Sequence, residues 1–179
     1  ASQVTGIDLS AKMIETAKEK SKGLPIIYQQ MAVEDVSFPD ESFDLIFSSL
    51  TFHYIRELAP VFRNIYRMLK PGGYFVFSLE HPVFTCRPEQ DWFSDENGQK
   101  LHWPVDRYHE EGERESDFIG HKVIKYHRRI ETILNTLTDA GFAIKKVSEP
   151  GPSPETLKEF PEMKDEVRRP IFLMVSAVK

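Results

Sequence analysis

Asp8 closes the apolar stretch Val4 to Asp8, and Ser10 follows it as a helix start signal. A carboxylate at the end of such a strand can accept hydrogen bonds from the two hydroxyls of a ribose, as in doubly wound α/β folds. A second set of reactive side chains lies further along. Five of the six histidines fall between Glu80 and His127: His81, His102, His109, His121 and His127. Cys86 and both tryptophans, Trp92 and Trp103, fall there too. Imidazoles act as bases near neutral pH or as metal ligands. The histidine spacing fits no zinc pattern and only one cysteine is present, so no metal is expected.

These groups need elements to position them. Val4 to Asp8 reads as a buried strand. Ser10 can cap a helix whose apolar stripe is Met13, Ile14 and Ala17, with lysines suiting its end and Gly23 stopping it. Ile26 to Gln30 is a second strand, Phe38 to Phe43 a turn, and Leu45 to Ser49 a third strand. Pro60 opens a helix with Phe62, Ile65 and Leu69 on its core face, and Lys70 to Gly73 is expected to stop it. Tyr74 to Leu79 is a fourth strand.

Strands alternating with helices imply a mostly parallel sheet covered on both faces. The pattern breaks at Glu80. Residues 81 to 120 show no clean period and no strong helix. Helical spacing returns at Ile130, Ile133, Leu134 and Leu137 and ends at Gly141. Phe142 to Val147 and Ile171 to Val178 are the last strands, joined by a surface linker, Pro150 to Pro170. A long aperiodic stretch that starts where a strand ends suits a lid over a substrate pocket.

The 179 residues suffice for one domain, 1–179, with the lid, 81–127, inserted in it. A net charge of −5 leaves no basic stripe for nucleic acid. No apolar run approaches the ~20 residues of a membrane span. The lone cysteine cannot form an internal disulfide, and no signal-peptide pattern opens the chain, so a cytoplasmic protein is expected.

In order, Gly6 to Ser10 with Met13 and Ala17, Ala32 to Asp35, Phe38 to Asp44, and Leu69 to Gly73 resemble the class I S-adenosylmethionine-dependent methyltransferases. Each motif is weak alone; the four at these intervals are a strong joint signal. The stretch Glu80 to Thr85, with Gln90 to Trp92, Trp103 to Asp106, Glu111 to Arg114 and Lys125 to Arg128, resembles one bacterial subgroup of them. The resemblance implies a Rossmann-like doubly wound sheet with an antiparallel last strand. It departs at one point. In such folds a strand and a glycine-rich turn precede the acidic residue by roughly 20 residues. Here the chain begins a few residues before Asp8 and contains no Gly-x-Gly, so the first βα unit is expected to lie in an earlier part of the polypeptide.

The resemblance implies that Asp8 holds the ribose hydroxyls of S-adenosylmethionine and that Leu9 packs by the adenine. Ala32 and Val33 would present backbone and apolar surface to that ring, Glu34 or Asp35 would meet its amino group, and Ser49 would lie near the methionine part. The implied reaction is direct displacement of the methyl group onto an oxygen or nitrogen of a small-molecule acceptor, leaving S-adenosylhomocysteine. Such an acceptor must lose a proton, which calls for a base. The candidates are His53, His81 and His127, with Glu80 as orienting carboxylate and Tyr126 as a polar aromatic wall; positioning without a base is the other possibility. A cofactor-binding protein without catalysis and a nicotinamide-dependent dehydrogenase are the alternatives, and the run from Ala32 to Asp44 fits the methyltransferases better. The acceptor and the oligomeric state, monomer or homodimer, stay open.

Overall fold

A computed structural model describes residues 3–118 and 120–179. Residues 1, 2 and 119, which the expected domain and lid ranges include, lie outside the described residues. The chain divides into two units, Ala1–Pro39 and Asp40–Lys179.

In the first unit, β1 (Val4–Asp8) lies parallel to β2 (Ile26–Gln30), with Asp8 opposite Gln30, and α1 (Ala11–Lys20) connects them. Ser10 caps α1 by accepting from the Met13 amide at 3.4 Å, and Lys18 and Lys20 face the negative end of its dipole. Of the expected apolar stripe only Ile14 is buried; Met13 stays 55% exposed. Gly6 permits close packing, since a Cβ there would stand 2.7 Å from the Tyr28 ring.

The second unit contains β3 (Phe43–Ser49), α2 (Leu58–Met68), β4 (Leu69–Glu80) and α3 (Pro82–Thr85). Two antiparallel hairpins follow, β5 (Phe93–Ser94) with β6 (Lys100–His102) and β7 (Gly112–Phe118) with β8 (His121–His127). Then come α4 (Ile130–Asp139), β9 (Ala143–Ser148), α5 (Pro154–Glu159) and β10 (Phe172–Val178). The main sheet has the order β3-β4-β10-β9. β3 and β4 are parallel, while β10 runs against both neighbours. This is the expected mixed α/β architecture with an antiparallel last strand.

The core explains the placement of the chemistry. Phe52, Phe62, Phe75 and Phe77 are fully buried. Phe52 meets Phe62 and Phe77 edge-on at 5.3 Å, the favoured geometry for ring quadrupoles. Phe52 belongs to the short 3-10 turn Phe52–Tyr54, so its anchoring fixes the neighbouring His53.

Three segments carry more structure than their sequence signals suggest. The helix stops as expected, at Met68, but Leu69 is no part of its core face: β4 begins there and not at Tyr74, taking in Lys70 to Gly73. Partners capture this segment, for Leu69 pairs with Phe43, and Gly72 and Gly73 exchange backbone bonds with Lys179. Gly73 is required there because a Cβ would lie 2.9 Å from the Lys70 carbonyl oxygen. The aperiodic 81–120 stretch has no long helix, but it holds the short elements α3, β5, β6 and β7. The 150–170 connection contains α5 and a 3-10 segment, Pro161–Arg168. Arg168 donates to the Lys100 and Leu101 carbonyls, and the Arg169 guanidinium lies 4.0 Å from the Trp103 ring centroid.

Candidate functional site

Glu80 ends β4, and its carboxylate is almost wholly buried. Lys125 on β8 donates from Nζ to Glu80 Oε1 at 2.7 Å and to Gln90 Oε1 at 3.0 Å. Gln90 Nε2 donates to Glu80 Oε2 at 3.2 Å, closing a ring of three side chains. Lys125 is 1% exposed, and its cation faces the Phe84 and Phe118 rings at 6.0 and 5.6 Å. A buried charge requires a partner and filled hydrogen bonds, and the ring supplies both. Gln90 adopts φ of 49°, a left-handed conformation that is costly outside glycine and that its side-chain bonds help to hold.

His53 stands beside this ring. The Glu80 amide donates to His53 Nδ1 at 3.2 Å, so that lone pair is in use and the proton of the neutral ring sits on Nε2. Nε2 lies 3.9 Å from Glu80 Oε1, beyond a hydrogen bond. Burial pushes the His53 pKa down to about 4, against the opposing pull of Glu80 and with help from Lys125. The Tyr54 ring leans on His53 at 4.2 Å, and burial, with Glu80, raises its phenol pKa.

The other two candidate histidines are also committed. His81 Nδ1 accepts from the Val83 amide at 3.0 Å, and Nε2 faces Glu149 Oε1 at 2.7 Å. His127 Nε2 donates to the Tyr108 carbonyl at 3.0 Å, leaving Nδ1 to accept from Thr85 Oγ1 at 2.9 Å. Burial lowers the pKa of both. Both tie α3 in place, to Glu149 just past β9 and to β8. Tyr126, Arg56, Arg128 and His127 line a cavity of about 320 Å³ that Glu80 and His53 do not reach. Arg128 donates to the Ile55 and Arg56 carbonyls and so fastens β8 to the turn bearing His53.

Four candidates, His53, His81, His127 and Glu80, thus lie in one unit, and Glu80 and His53 are brought together. Sequence reasoning placed Lys125 and Gln90 only within the stretches that resemble the subgroup and gave them no role. A signal existed: Lys125 alternates with Val123 and His127 along β8, and a lysine on the inward row of a strand needs a buried counter-charge.

The residues expected at the nucleoside lie in the first unit. The Asp8 carboxylate accepts from the Ser10 amide through Oδ1 at 2.7 Å. Oδ2 has no partner among the described residues, and Leu9 beside it is 70% exposed. An unpaired carboxylate oxygen next to bare apolar surface fits a ribose and an adjoining ring. Gln30 Nε2 holds the Leu9 carbonyl at 3.0 Å. Ala32 precedes the 3-10 turn Val33–Asp35, which carries Glu34. Ser49 ends β3 in the second unit, and Leu50 after it is held at φ of 54° by the Ser78 carbonyl. Among the described residues no cluster of three metal-ligating side chains occurs, and no helix is long and apolar enough to cross a membrane.

The chain matches known proteins at several levels. A family model described as "Methyltransferase domain" matches residues 1–77. A solved Listeria monocytogenes protein assigned to the S-adenosylmethionine-dependent methyltransferases is 48% identical, with a TM-score of 0.94 over 100% of this chain and 80% of its own. An S-adenosylmethionine-dependent methyltransferase from Mesorhizobium loti is 41% identical, with a TM-score of 0.92 over 100% of this chain and 81% of its own. A malonyl-[acyl-carrier protein] O-methyltransferase from Marinomonas is 33% identical across 54% of this chain and 36% of its own length. With its strands, its acidic strand end and these relatives agreeing, the chain belongs to the S-adenosylmethionine-dependent methyltransferases, enzymes that use that cofactor.

Proposed function

We propose that the enzyme methylates an oxygen or nitrogen atom of a small-molecule acceptor by direct displacement, with residues 81–127 forming a lid. The observation that carries this reading is the buried ring of Glu80, Gln90 and Lys125, built by the end of a sheet strand and two parts of the lid segment. Relatives named as a malonyl-[acyl-carrier protein] O-methyltransferase and phosphoethanolamine N-methyltransferases support either atom type.

When bound, S-adenosylmethionine supplies a methyl group on a positively charged sulfur. Asp8 would hold its ribose hydroxyls, with Leu9, Ala32, Val33 and Glu34 around the base. The burial of Lys125, His81 and His127 supports a lid that excludes water once acceptor is in place. The acceptor's proton would go to Glu80. The three histidines use their Nδ1 lone pairs within the fold, whereas a carboxylate has about four acceptor sites and Lys125 and Gln90 take one each.

Radiolabelled methyl transfer from S-adenosylmethionine to a panel of small carboxylic acids, phenols and amines tests the reading. Expected is labelled product with one class and none from a Glu80→Gln variant that still binds S-adenosylhomocysteine. Transfer only to protein or nucleic acid in a matched panel would overturn the small-molecule acceptor. Residues 83–120 should resist proteolysis more with cofactor and acceptor than with cofactor alone, and equal cutting in all states would count against a lid.

A further inference from the structure

Most buried polar groups of this site are accounted for, and one stands apart. His53 is 3% exposed, and its ring is held by the Tyr54 ring at 4.2 Å and by the Glu80 amide. Its Nδ1 accepts from the Glu80 amide, so Nε2 carries the proton. Among the described residues nothing accepts from Nε2. Its nearest carboxylate oxygen, Glu80 Oε1, is 3.9 Å away and already accepts from Lys125. The donor is therefore not spent within the fold, while the groups around it are tightly held.

We infer that His53 is a fixed hydrogen-bond donor to the methyl acceptor, presenting Nε2–H to an oxygen of that molecule. This deepens the proposed methyl transfer and rests on it. The acceptor therefore carries a carboxylate, carbonyl or hydroxyl oxygen beside the atom that reacts, and an acceptor whose only polar group is a protonated amine does not satisfy the site. Glu80 and Lys125 face the imidazole from β4 and β8, and Tyr54 faces it from its own turn. None of them offers the missing acceptor. Their mutual bonds also keep the ring from rotating, because turning it would break the Glu80 amide bond.

The test uses the full chain labelled with ¹⁵N-histidine and saturated with S-adenosylhomocysteine. His53 resonances are assigned by their loss in His53→Gln. Expected is a neutral Nε2–H tautomer that does not titrate between about pH 5.5 and 8.5. Acetate or phenol should move the Nε2–H signal, and methylammonium should not. His53→Gln, whose amide can donate from a similar place, should keep the affinity for the effective probe within about threefold, and His53→Leu should weaken it about tenfold. An Nδ1–H tautomer, or titration near neutral pH, overturns the inference. So does an equal response to methylammonium, or a response to no probe, which would make His53 a donor to water only. Calorimetry with S-adenosylhomocysteine separates the two readings. Absent cofactor binding with the expected histidine behaviour sinks the methyl-transfer reading, and intact cofactor binding with the wrong tautomer sinks this one.

Discussion

Asp8 and Glu80 each end a parallel strand with a carboxylate, yet they are held in opposite ways. Asp8 bonds to Ser10, two residues on, and lies beside bare apolar surface. The partners of the Glu80 carboxylate come from 10 and 45 residues away, and the group is buried. The first arrangement forms as soon as a strand meets a helix start. The second exists only after β4, β8 and the segment carrying Gln90 have packed together. A locally built carboxylate can keep an oxygen free for a ligand at little cost to folding. A carboxylate assembled across the fold is bound up with the stability of the whole second unit.

That contrast can be broken first at Lys125. Replacing it with methionine leaves the Glu80 carboxylate buried without its cation, and removing one partner of a buried pair costs about 3–5 kcal/mol. Urea unfolding should show this as a large fall in the midpoint, partly restored by adding Glu80→Gln. An unchanged midpoint would mean that the pair is not buried in solution.

Acid gives the next largest effect. The His53 pKa is lowered from 6.5 to about 4, so the unfolded chain binds more protons than the folded one between those values. The stability contributed by the neutral ring is present above pH 6.5 and is lost as pH falls to about 4. The gap amounts to about 3 kcal/mol, at about 1.4 kcal/mol per pH unit. His81 and His127, also lowered, act with the same sign. Melting temperatures across this range should fall with acid in the parent and less steeply in His53→Gln; equal slopes would place the sensitivity elsewhere.

Asp8→Ala should sharpen the comparison from the other side. Stability should change by less than about 1 kcal/mol, as for a partly exposed side chain with one local bond. Affinity for S-adenosylhomocysteine should weaken by ~1–3 kcal/mol in a calorimetric titration. Unchanged affinity would remove the ribose assignment.

Much of the fold was legible because its signals are short-range. The strand ends at Asp8 and Ser49, the cap at Ser10, and the helices around Phe62 and Ile133 follow from local periodicity and capping. Lys70 to Gly73 marked the helix stop but not the start of the next strand, because the pairing of Leu69 with Phe43 and of Gly73 with Lys179 lies far away in sequence. The β7–β8 hairpin was hidden by charge, since its inward row carries Arg114, Ser116, Lys125 and His127 in place of an apolar alternation.

The histidines divide along the same line. Their number and their place after a strand end were visible in the chain, and so was the carboxylate at Glu80. Which nitrogen of each ring bears the proton depends on amides, carbonyls and hydroxyls brought up by folding. The sequence by itself determined the fold class, the family and the identity of the acidic strand ends, because these rest on the order of short motifs. Only the tertiary structure decided that Lys125 and Gln90 complete the buried ring and that His53 points a donor, since side chains up to 45 residues apart meet only when the sheet and lid segments have packed together.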